Sequence, residues 1–554
     1  MRRILLYDTT LRDGAQTEGI TFSLNDKIAM AQRLNELGFD FIEGGYPASN
    51  DKDEQFFQQA TTMPFQHSTL CAFGMTRRKG ILPKDDSGLK SLLDSQAPII
   101  TIVGKSSAFQ VTNVIQTSLE ENLTMIAETI AWLRQNNRRI FFDAEHFFDG
   151  WKNNPEYSLL SLKTAVEAGA ENVSLCDTNG GSMPEEIAQG VRDVLALIDV
   201  PVGIHTHNDC GLAVANSLAA IDAGASLVQG TINGLGERCG NADLITIAAN
   251  LALKKKGQYE VLQDGSIEQL TKLSRFTYEL VNQTPSHRQP FVGKSAFAHK
   301  GGMHVSGINR DTCAYEHINP QQIGNERRIL ISELSGKSNI IARTSKFNIS
   351  NDNQLLNKIL EVVARKENLG YQYEAAEGSF NLLVQKTAGL YRPYFERLNY
   401  QTSVIANAEG VFETIATVKL RVKDVIRYEV AEGDGPVNAL DAALRKALYP
   451  LFPQLMEMSL IDYKVRVLNS DAATAATTRV IIESKDQDET WGTVGVSENV
   501  IEASWIALCD SIEYKLWKNF YSGEAETTDR ISGNDRQEKT ETTDRLSPCN
   551  NPLQ

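Results

Sequence analysis

The sequence predicts an α/β protein that begins with a (β/α)8 TIM barrel, and three observations lead to this prediction. From Ile4 to about residue 250, short apolar runs rich in β-branched residues alternate with amphipathic stretches of helical length, which is typical of parallel β/α units. Eight such runs fall within this stretch, and eight is the strand count of a closed barrel. Polar residues follow the runs one after another, as they do where a barrel carries its chemistry.

The helices between the predicted strands are bounded by caps. Ser23 and Ser118 each stand three residues before an acid, which is a pattern of helix N-termini. Gly38, Gly169 and Gly224 stand just before predicted strands, where the C-termini of helices belong. The predicted strands are Ile4–Tyr7, Phe39–Glu43, Ser68–Phe73, Ile99–Val103, Ile140–Asp143, Asn172–Cys176, Val202–His205 and Ser226–Gly230.

The composition is that of an ordinary globular protein. Of the 554 residues, 42% are hydrophobic and 23% are charged, and no apolar run is long enough to cross a bilayer. The formal net charge of −15 disfavours nucleic acid and anionic membranes as partners. The first apolar stretch ends at Asp8, too early for a signal peptide, and the scattered cysteines form no Cys-x-x-Cys pair. We therefore expect a cytoplasmic protein without a thiolate metal site.

The last third of the chain has a different rhythm from the barrel. Residues 416–422 alternate apolar and polar side chains, which predicts an antiparallel sheet with one buried face. A pattern of strands followed by a helix that starts at Pro436 occurs a second time at residues 492–508. This part is therefore predicted to be α+β and built of two similar halves. The polar end of the chain repeats residues 526–530 at 541–545, and we expect it to be disordered.

A chain of this length is too long for one core, since single cores rarely grow beyond about 300 residues. A turn-rich connector near residues 286–293 marks the change from the barrel to mixed linker subdomains. The predicted domains are 1–275 for the barrel, 276–372 for the linker subdomains, 373–520 for the C-terminal domain and 521–554 for the disordered tail.

The most specific local pattern is His205-x-His207 at the end of a predicted strand. Side chains two residues apart leave the same face of a strand, so both imidazoles are placed to share a metal ion. The alternative is a strand end at which one histidine caps a loop and the other is a satisfied interior residue. Polar residues at the ends of the other strands favour the metal site.

Three motifs occur in order along the chain. They are residues 8–14 (Asp-Thr-Thr-Leu-Arg-Asp-Gly), the histidine pair followed by Asn-Asp, and residues 234–241 (Gly-x-Gly-Glu-Arg-x-Gly-Asn). Together they resemble the DRE-TIM metallolyase superfamily, and within it the acyl-condensing branch that contains isopropylmalate, homocitrate and citramalate synthases. The metal ligands that this resemblance implies are Asp13, His205, His207 and Asn241.

The resemblance also implies how the site would work. Arg12 would face the keto oxygen of the substrate and the negative charge that develops there, while Glu145 and Thr178 would contact a 2-oxo acid. The implied cofactor is a divalent metal ion. A mixed set of nitrogen and oxygen donors accepts Mn²⁺, Mg²⁺, Co²⁺ or Zn²⁺ and does not choose among them.

The linker resembles the linker subdomains of the same synthases, in which a histidine and a tyrosine reach the active site of the partner subunit. Here those residues match His304 and Tyr315. His304 is a plausible base for removing a proton from the acetyl methyl group of acetyl-CoA, because imidazole titrates near neutral pH. On the residues alone, His299 competes with His304 on equal terms.

Two positions resemble a citramalate-forming subgroup more than typical isopropylmalate synthases. Ala15 stands where the latter more often carry an acid, and Tyr46 stands in Gly-Tyr-Pro where they have Gly-Phe-Pro. The resemblance then implies condensation of acetyl-CoA with pyruvate to give (R)-citramalate in isoleucine biosynthesis. The alternatives are a 2-isopropylmalate synthase that uses 2-oxoisovalerate in leucine biosynthesis, a metal-dependent lyase or aldolase, and a catalytically silent amino-acid sensor.

The C-terminal domain is similar to the regulatory domain of isopropylmalate and citramalate synthases. This similarity implies a homodimer that binds an amino-acid end product, isoleucine, at the dimer interface. A pure dimerisation module is the alternative, since domains of one fold serve many ends.

Overall fold

The computed structural model describes residues 1–330, 352–406, 412–469 and 475–532, with side chains up to residue 520. The chain divides into two compact units. The first unit comprises Met1–Phe297 and Ile318–Arg327, and the second comprises Ala298–His317 and Arg328–Gln554. Parts of the predicted linker subdomains and of the predicted tail lie outside the described residues.

The first unit is a closed barrel of eight parallel strands, and the predicted fold class is confirmed. Each strand pairs with the next along the chain, and the last pairs with the first. All eight predicted strands are present, with ends that differ by at most about two residues, the usual uncertainty of such boundaries. The strands are β1 (Leu5–Asp8), β2 (Phe41–Gly45), β3 (Thr69–Met75), β4 (Ile99–Lys105), β5 (Arg139–Glu145), β6 (Asn172–Asp177), β7 (Val202–Thr206) and β8 (Leu227–Gly230).

Two helices of the first unit begin at the N-caps that the sequence predicts. Ser23 accepts the backbone N–H of Asp26 in a capping box, and Ser118 accepts the backbone N–H of Glu121. Gly38 and Gly224 are the C-cap residues of their helices. The helices are α1 (Leu24–Leu37), α2 (Asp51–Ala60), α3 (Ser87–Asp94), α4 (Leu119–Gln135), α5 (Phe147–Asn153), α6 (Pro155–Glu167), α7 (Pro184–Leu195), α8 (Ala213–Ala223), α9 (Leu244–Ala249) and α10 (Leu270–Leu280).

The barrel interior is apolar near the amino ends of its strands. Phe41, Phe141 and Leu227 pack there with Tyr7, and the rings of Phe41 and Phe141 meet edge to face at 5.2 Å. A larger core fills the space between strands and helices. These side chains fill the amino end of the barrel. The polar residues at the carboxyl ends of the strands line a cavity at the opposite end.

The C-terminal part of the second unit repeats one motif twice, as predicted. Each half consists of three antiparallel strands followed by a helix, and Pro436 is the first residue of the first of these helices. The first half is β9 (Glu396–Ala406), β10 (Phe412–Val422), β11 (Val425–Gly433) and α14 (Pro436–Leu448). The second half is β12 (Ser459–Val467), β13 (Thr478–Lys485), β14 (Thr490–Ser497) and α15 (Val500–Ser532). The preceding helices of this unit are α11 (Gly302–Arg310), α12 (Asn353–Asn368) and α13 (Glu377–Ala388).

The two faces of the first of these sheets differ. Val418 and Leu420 are buried in a core with residues of α14. On the opposite face, Ile426, Tyr428 and Val430 of β11 are 45–64% exposed, and we call these three residues the β11 stripe. An antiparallel sheet with one buried face was predicted here, but the exposed apolar stripe on its other face was not.

Helix α15 continues past residue 521, where the sequence predicts the start of a disordered tail. The helical segment therefore extends to Ser532, and residues 533–554 lie outside the described part of the chain. Among the described residues, we find no helix that combines the length and the apolar character needed to cross a membrane.

Candidate active site

The polar strand ends of the barrel meet at a cavity of about 300 Å³. It lies at the carboxyl ends of the strands, where barrels of this class place their chemistry. Its wall includes most of the residues that the sequence assigns to the site, although they are far apart in the chain. The predicted site residues that line it are Arg12, Asp13, Glu145, Thr178, His205 and His207.

Three of the predicted metal ligands lie close enough to share one ion. His205 Nε2 is 3.3 Å from Asp13 Oδ2 and 3.2 Å from His207 Nε2. One potential ligand atom from each of the three residues lies within 4.8 Å of the others, and all three residues are buried. Two imidazoles and a carboxylate are donors that suit a divalent metal ion. This cluster is thus a possible metal site.

Two buried polar atoms beside this cluster lack a hydrogen-bond partner among the described residues. They are His207 Nδ1 and Asn241 Oδ1. The Asn241 amide group donates a hydrogen bond to the carbonyl of Leu235, which leaves its oxygen as the orphaned atom. Buried polar atoms without partners are rare in proteins and call for an explanation such as a bound ion. The Asn241 oxygen therefore fits the view that the cluster holds a metal. The His207 nitrogen that faces the cluster is Nε2, so the orphaned Nδ1 of this residue is not evidence for the metal.

The glycines of the third sequence motif allow Asn241 to lie where it does. A Cβ atom at Gly236 would collide with the Asn241 side-chain nitrogen. Gly240 has a φ of 90°, which disfavours other residues, and a Cβ there would meet the carbonyl of Gly234. Backbone bridging between His207 and Asn241 then brings this loop against the end of β7.

The charges around the cluster set its protonation. Burial would raise the pKa of Asp13, but Arg12 and then His205 outweigh it and hold this pKa well below its usual range. Burial and the neighbouring His205 lower the pKa of His207 to about 3. At neutral pH, Asp13 is therefore a carboxylate and His207 a neutral imidazole, the forms that bind metal ions.

Arg12 is held by contacts on two sides of its guanidinium. Its Nε donates a 2.6 Å hydrogen bond to Glu43 Oε1, and its guanidinium carbon lies 3.9 Å from the centre of the Phe73 ring. Glu43 is fully buried and also accepts hydrogen bonds from Tyr7 and Thr9, each 2.6 Å long. Burial lowers the pKa of Arg12, but Glu43 and Asp13 outweigh this effect and raise it. Arg12 is thus a permanent cation in a fixed position.

Glu145 and Thr178 stand on the other side of the cavity, and each has a protein partner. Glu145 forms an ion pair with Lys105, which lies at the end of β4. The Thr178 hydroxyl accepts a 2.8 Å hydrogen bond from the backbone N–H of His146. Since that hydroxyl still has a hydrogen to donate, Thr178 keeps the capacity to bind an anionic oxygen.

A second cavity, of about 420 Å³, adjoins the first. Tyr46, Met75, Val103 and Glu145 line both, so they form the wall between the two. The Tyr46 ring meets the Phe73 ring edge to face at 6.1 Å. Tyr46, one of the two positions that resemble the citramalate-forming subgroup, is thus a wall residue of the site cavity.

His304 and Tyr315 both belong to the second unit and lie together there. Their rings stack with centres 4.1 Å apart, and both side chains are exposed. His299 is different, because it is buried and its Nε2 is 3.1 Å from Glu316 Oε1. An exposed imidazole is accessible to a substrate, and a buried one engaged with a carboxylate is not.

The second unit contains a cavity of about 480 Å³ between α14, β12 and α15. Asp441 and Arg445 lie in its wall and form an ion pair with nitrogen–oxygen distances of 2.8 and 2.9 Å. Val437, Leu460 and Leu508 add apolar surface. The cavity thus offers a carboxylate, a guanidinium and an apolar wall.

Three polar residues of the site were not assigned a role from the sequence. They are Glu43, which anchors Arg12, Lys105, which pairs with Glu145, and Gln229, whose side-chain oxygen is 2.9 Å from His205 Nδ1. Glu43 and Lys105 stand at strand ends, so their positions were a signal that could have been used. Gln229 lies inside an apolar strand and has no motif around it, so only its polarity marks it.

Two further acids, at or just after strand ends, are engaged with protein partners. Asp177 accepts a 2.9 Å hydrogen bond from the Ser182 hydroxyl and holds the loop after β6. Asp209 forms an ion pair with Arg238, 2.7 Å long.

Three protein-family profiles match consecutive parts of the chain. HMGL-like matches residues 3–277, the homocitrate synthase post-HMGL domain-like profile matches residues 291–369, and the LeuA allosteric (dimerisation) domain matches residues 374–516. The first covers the barrel, and the third covers the repeated motif of strands and helices.

Curated relatives match almost the whole chain. An (R)-citramalate synthase of Geobacter sulfurreducens is 48% identical over 94% of this chain and 98% of its own length. One of Synechocystis sp. is 49% identical over 92% of this chain and 96% of its own length. A probable 2-isopropylmalate synthase of Methanopyrus kandleri is 29% identical over 91% of this chain and 96% of its own length. With an HMGL-like barrel, the buried Asp13–His205–His207 cluster and this similarity over nearly its full length, the chain belongs to the (R)-citramalate synthase family.

Proposed function

We propose that the chain condenses acetyl-CoA with pyruvate and water to give (R)-citramalate and free CoA. The observation that carries the proposal is the buried cluster of Asp13, His205 and His207 beside the fixed cation of Arg12, at the bottom of a small cavity. The relatives named (R)-citramalate synthase support the choice of reaction within this chemistry. The substrates, the residue roles and the regulation below are parts of the same proposal.

The metal ligands we propose are Asp13, His205, His207 and Asn241. The orphaned oxygen of Asn241 and the three clustered ligand atoms support this set. A divalent metal bound here would act as a Lewis acid that polarises the ketone of the 2-oxo acid. The donors accept Mn²⁺, Mg²⁺, Co²⁺ or Zn²⁺.

Arg12, Glu145 and Thr178 bind and orient the 2-oxo acid. Arg12 places a permanent positive charge beside the keto oxygen, so its stabilising effect is greatest when that oxygen becomes an alkoxide. Thr178 can donate a hydrogen bond to an oxygen of the substrate, and Glu145 lines the same wall. Tyr46, Phe73 and Val103 limit the space left for the side chain of the 2-oxo acid.

His304 is the base of the first step, with Tyr315 beside it. It removes a proton from the acetyl methyl group, and the resulting carbon nucleophile forms a bond to the keto carbon of pyruvate. The keto oxygen takes up a proton, and water then cleaves the thioester to release CoA as a thiol. The exposure of His304 and the burial of His299 against Glu316 support this choice of base.

We also propose that the second unit binds an amino-acid effector, isoleucine, and forms a homodimer in the cytoplasm. In the cavity between α14, β12 and α15, Asp441 could bind an α-ammonium group and Arg445 an α-carboxylate. Leu460 and Leu508 would then contact an aliphatic side chain. The exposed β11 stripe supports dimer formation, because apolar patches on a surface mark association sites.

The test is the release of CoA thiol from acetyl-CoA by the purified protein with added Mn²⁺. Pyruvate, 2-oxoisovalerate and 2-oxoglutarate are compared at equal concentration, and protein treated with a chelator is the control. We expect turnover with pyruvate to exceed turnover with 2-oxoisovalerate by at least about tenfold, since each extra methylene group changes the transition-state energy by about 1–3 kcal/mol. A preference for 2-oxoisovalerate would instead make the chain a 2-isopropylmalate synthase. Turnover that survives removal of the metal would contradict the metal site.

A further inference from the structure

The side chain behind His205 is Gln229, which is fully buried on the neighbouring strand β8. The two residues are register partners in the parallel pair β7–β8, and His205 Nδ1 lies 2.9 Å from Gln229 Oε1. We infer that Gln229 is a positioning residue, which fixes the tautomer and the ring orientation of His205 so that its Nε2 lone pair faces the metal. This inference rests on the metal site of the proposed function and concerns a residue outside the ligand set.

Which end of the Gln229 amide faces His205 follows from its other partners. The amide nitrogen is 2.8 Å from Asp143 Oδ1 and 3.1 Å from the Ser174 hydroxyl oxygen. A carboxylate can only accept a hydrogen bond, so the NH₂ group must point toward Asp143. The amide oxygen of Gln229 therefore points toward His205. Since this oxygen can only accept a hydrogen bond, the His205 nitrogen nearest to it, Nδ1, must carry a proton.

Ser174 gives an independent reason for the same orientation. The Asn172 side-chain nitrogen donates to the backbone carbonyl of Pro201, 3.1 Å away, and this carbonyl can only accept. Asn172 Oδ1 thus faces Ser174 and accepts its hydroxyl hydrogen over 3.2 Å. The hydroxyl oxygen of Ser174 is then left as an acceptor for Gln229. The carbonyl of Pro201 and the carboxylate of Asp143 thus set the direction of every hydrogen bond in this series of side chains, which leads to His205.

His207 has no such support among the described residues, since its Nδ1 is buried without a partner. The two imidazoles of the cluster therefore differ: one is oriented by a series of hydrogen bonds through the barrel interior, and the other is not. A hydrogen bond to the distal ring nitrogen makes a ligating histidine more basic and restricts its rotation, and its loss commonly weakens metal binding by about 10–100-fold. We expect Gln229 to contribute an effect of this size.

The test measures the metal itself before any turnover. Chelator-treated wild-type protein and its Gln229→Met variant are titrated with Co²⁺ by calorimetry, and the visible spectrum of the bound Co²⁺ is recorded. Methionine keeps the length of the side chain and removes both hydrogen-bonding groups. We expect about 10–100-fold weaker binding and a changed Co²⁺ spectrum, with turnover largely restored at saturating metal.

Gln289→Met is the matched control. Gln289 is also buried in the first unit and hydrogen-bonds through its amide, but to Asn233 and Tyr278 rather than to a residue of the cluster. This variant should bind Co²⁺ like the wild type. Equal Co²⁺ affinity and equal spectra in Gln229→Met and wild type would overturn the inference. If Gln229→Met does not fold, Ser174→Ala, which removes one of the two acceptors and keeps the amide, should bind Co²⁺ more weakly than the wild type, and unchanged affinity would overturn the inference.

The failure of the inference and that of the proposed function give different results. Wild-type protein that binds Co²⁺ tightly but releases no CoA would contradict the proposed reaction and leave the role of Gln229 open to the same titration. Wild-type protein that turns over, together with a Gln229→Met variant of unchanged affinity, would contradict the role of Gln229 alone.

Discussion

The carboxyl end of the barrel and the repeated sheets of the second unit use polar and apolar groups in opposite ways. In the barrel, Asp13 and Glu43 are buried charges, both form ion pairs with Arg12, and Arg12 and Asp13 line one cavity. In the second unit, the β11 stripe leaves apolar side chains on the surface. Buried charges that converge are typical of a reaction centre, and exposed apolar residues are typical of an association surface. The difference indicates that the metal cluster can be disturbed without changing the exposed apolar surface of the second unit.

The largest effect should come from Asp13→Ala, which removes the carboxylate of the cluster. We expect loss of metal binding and a fall in turnover on the order of 1,000-fold or more, because a bound metal supplies several kcal/mol of charge stabilisation. Metal content by mass spectrometry and CoA release measure the two effects. The association constant in sedimentation should remain that of the wild type. An Asp13→Ala protein with a full complement of metal would show that the cluster is not the binding site.

A smaller effect should follow from Glu43→Gln, which keeps the shape of the buried side chain that anchors Arg12. The new amide group brings N–H donors to a place where Tyr7, Thr9 and Arg12 already donate, so Arg12 loses its fixed position. We expect kcat to fall about 100-fold, as when one preorganised donor is lost, with nearly unchanged metal affinity. Glu260→Gln, at an exposed acid 4.0 Å from Arg3, is the control and should leave kcat unchanged. A fall in metal affinity equal to that in kcat would assign Glu43 to the ligand cluster instead.

The second unit contains a buried acid, Glu513, whose contribution to the free energy of unfolding depends on pH. Burial raises the pKa of Glu513 from 4.5 to about 7, although hydrogen bonds from Tyr394 and Tyr391 and the charge of Arg397 act the other way. Between these values the folded form holds a proton that the unfolded form releases. The stabilising effect is therefore complete below pH 4.5 and is lost as the pH rises through 7. Relative to pH values below 4.5, the free energy of unfolding at pH 8 should be lower by about 3 kcal/mol.

Urea unfolding followed by tryptophan fluorescence measures this dependence, since Trp491, Trp505 and Trp517 report on the second unit. Glu513→Gln should flatten the change in midpoint between pH 5 and 8. Glu396→Gln, at an exposed acid, should keep it. If Glu513→Gln leaves the pH dependence unchanged, another group causes it.

The smallest effect should be that of Tyr428→Lys in the β11 stripe. A lysine there would place a charge in the proposed interface, and we expect the homodimer to dissociate at least about tenfold more readily, since buried aromatic residues often dominate such interfaces. Sedimentation equilibrium measures the dissociation constant of the homodimer. Asp424→Lys, in the turn before β11, adds a lysine to the same part of the sheet outside the stripe and should have no effect. An unchanged constant in both variants would exclude the β11 stripe as the interface.

The barrel could be predicted well because its signals are local. Each of its strands is a short apolar run between a helix C-terminus and a polar strand end, so all eight were found within about two residues. The clustering of Asp13, His205 and His207 was also predictable, because the carboxyl ends of barrel strands meet at one place. The roles of Asn241 and His304 stay predictions, since they rest on the resemblance and on orphaned or exposed atoms.

What the sequence missed depends on contacts between distant residues. Gln229 reaches His205, Asp143 and Ser174 on three other strands, and no local pattern marks such a meeting. The extension of α15 was missed for a different reason. The composition after residue 521 is polar, which predicts disorder, but a helix that is already formed adds further residues at little cost.

The wall between the two barrel cavities bears on laboratory evolution of this chain. The proposed metal ligands come from the segment after β1, from the end of β7 and from the loop after β8, whereas the wall residues Met75 and Val103 stand on β3 and β4. A library restricted to these two wall positions would vary the size of the accepted 2-oxo acid while every ligand-bearing segment keeps its sequence. Rounds of selection could then change the preference among 2-oxo acids without loss of the metal ion, so the barrel could be evolved to accept longer substrates.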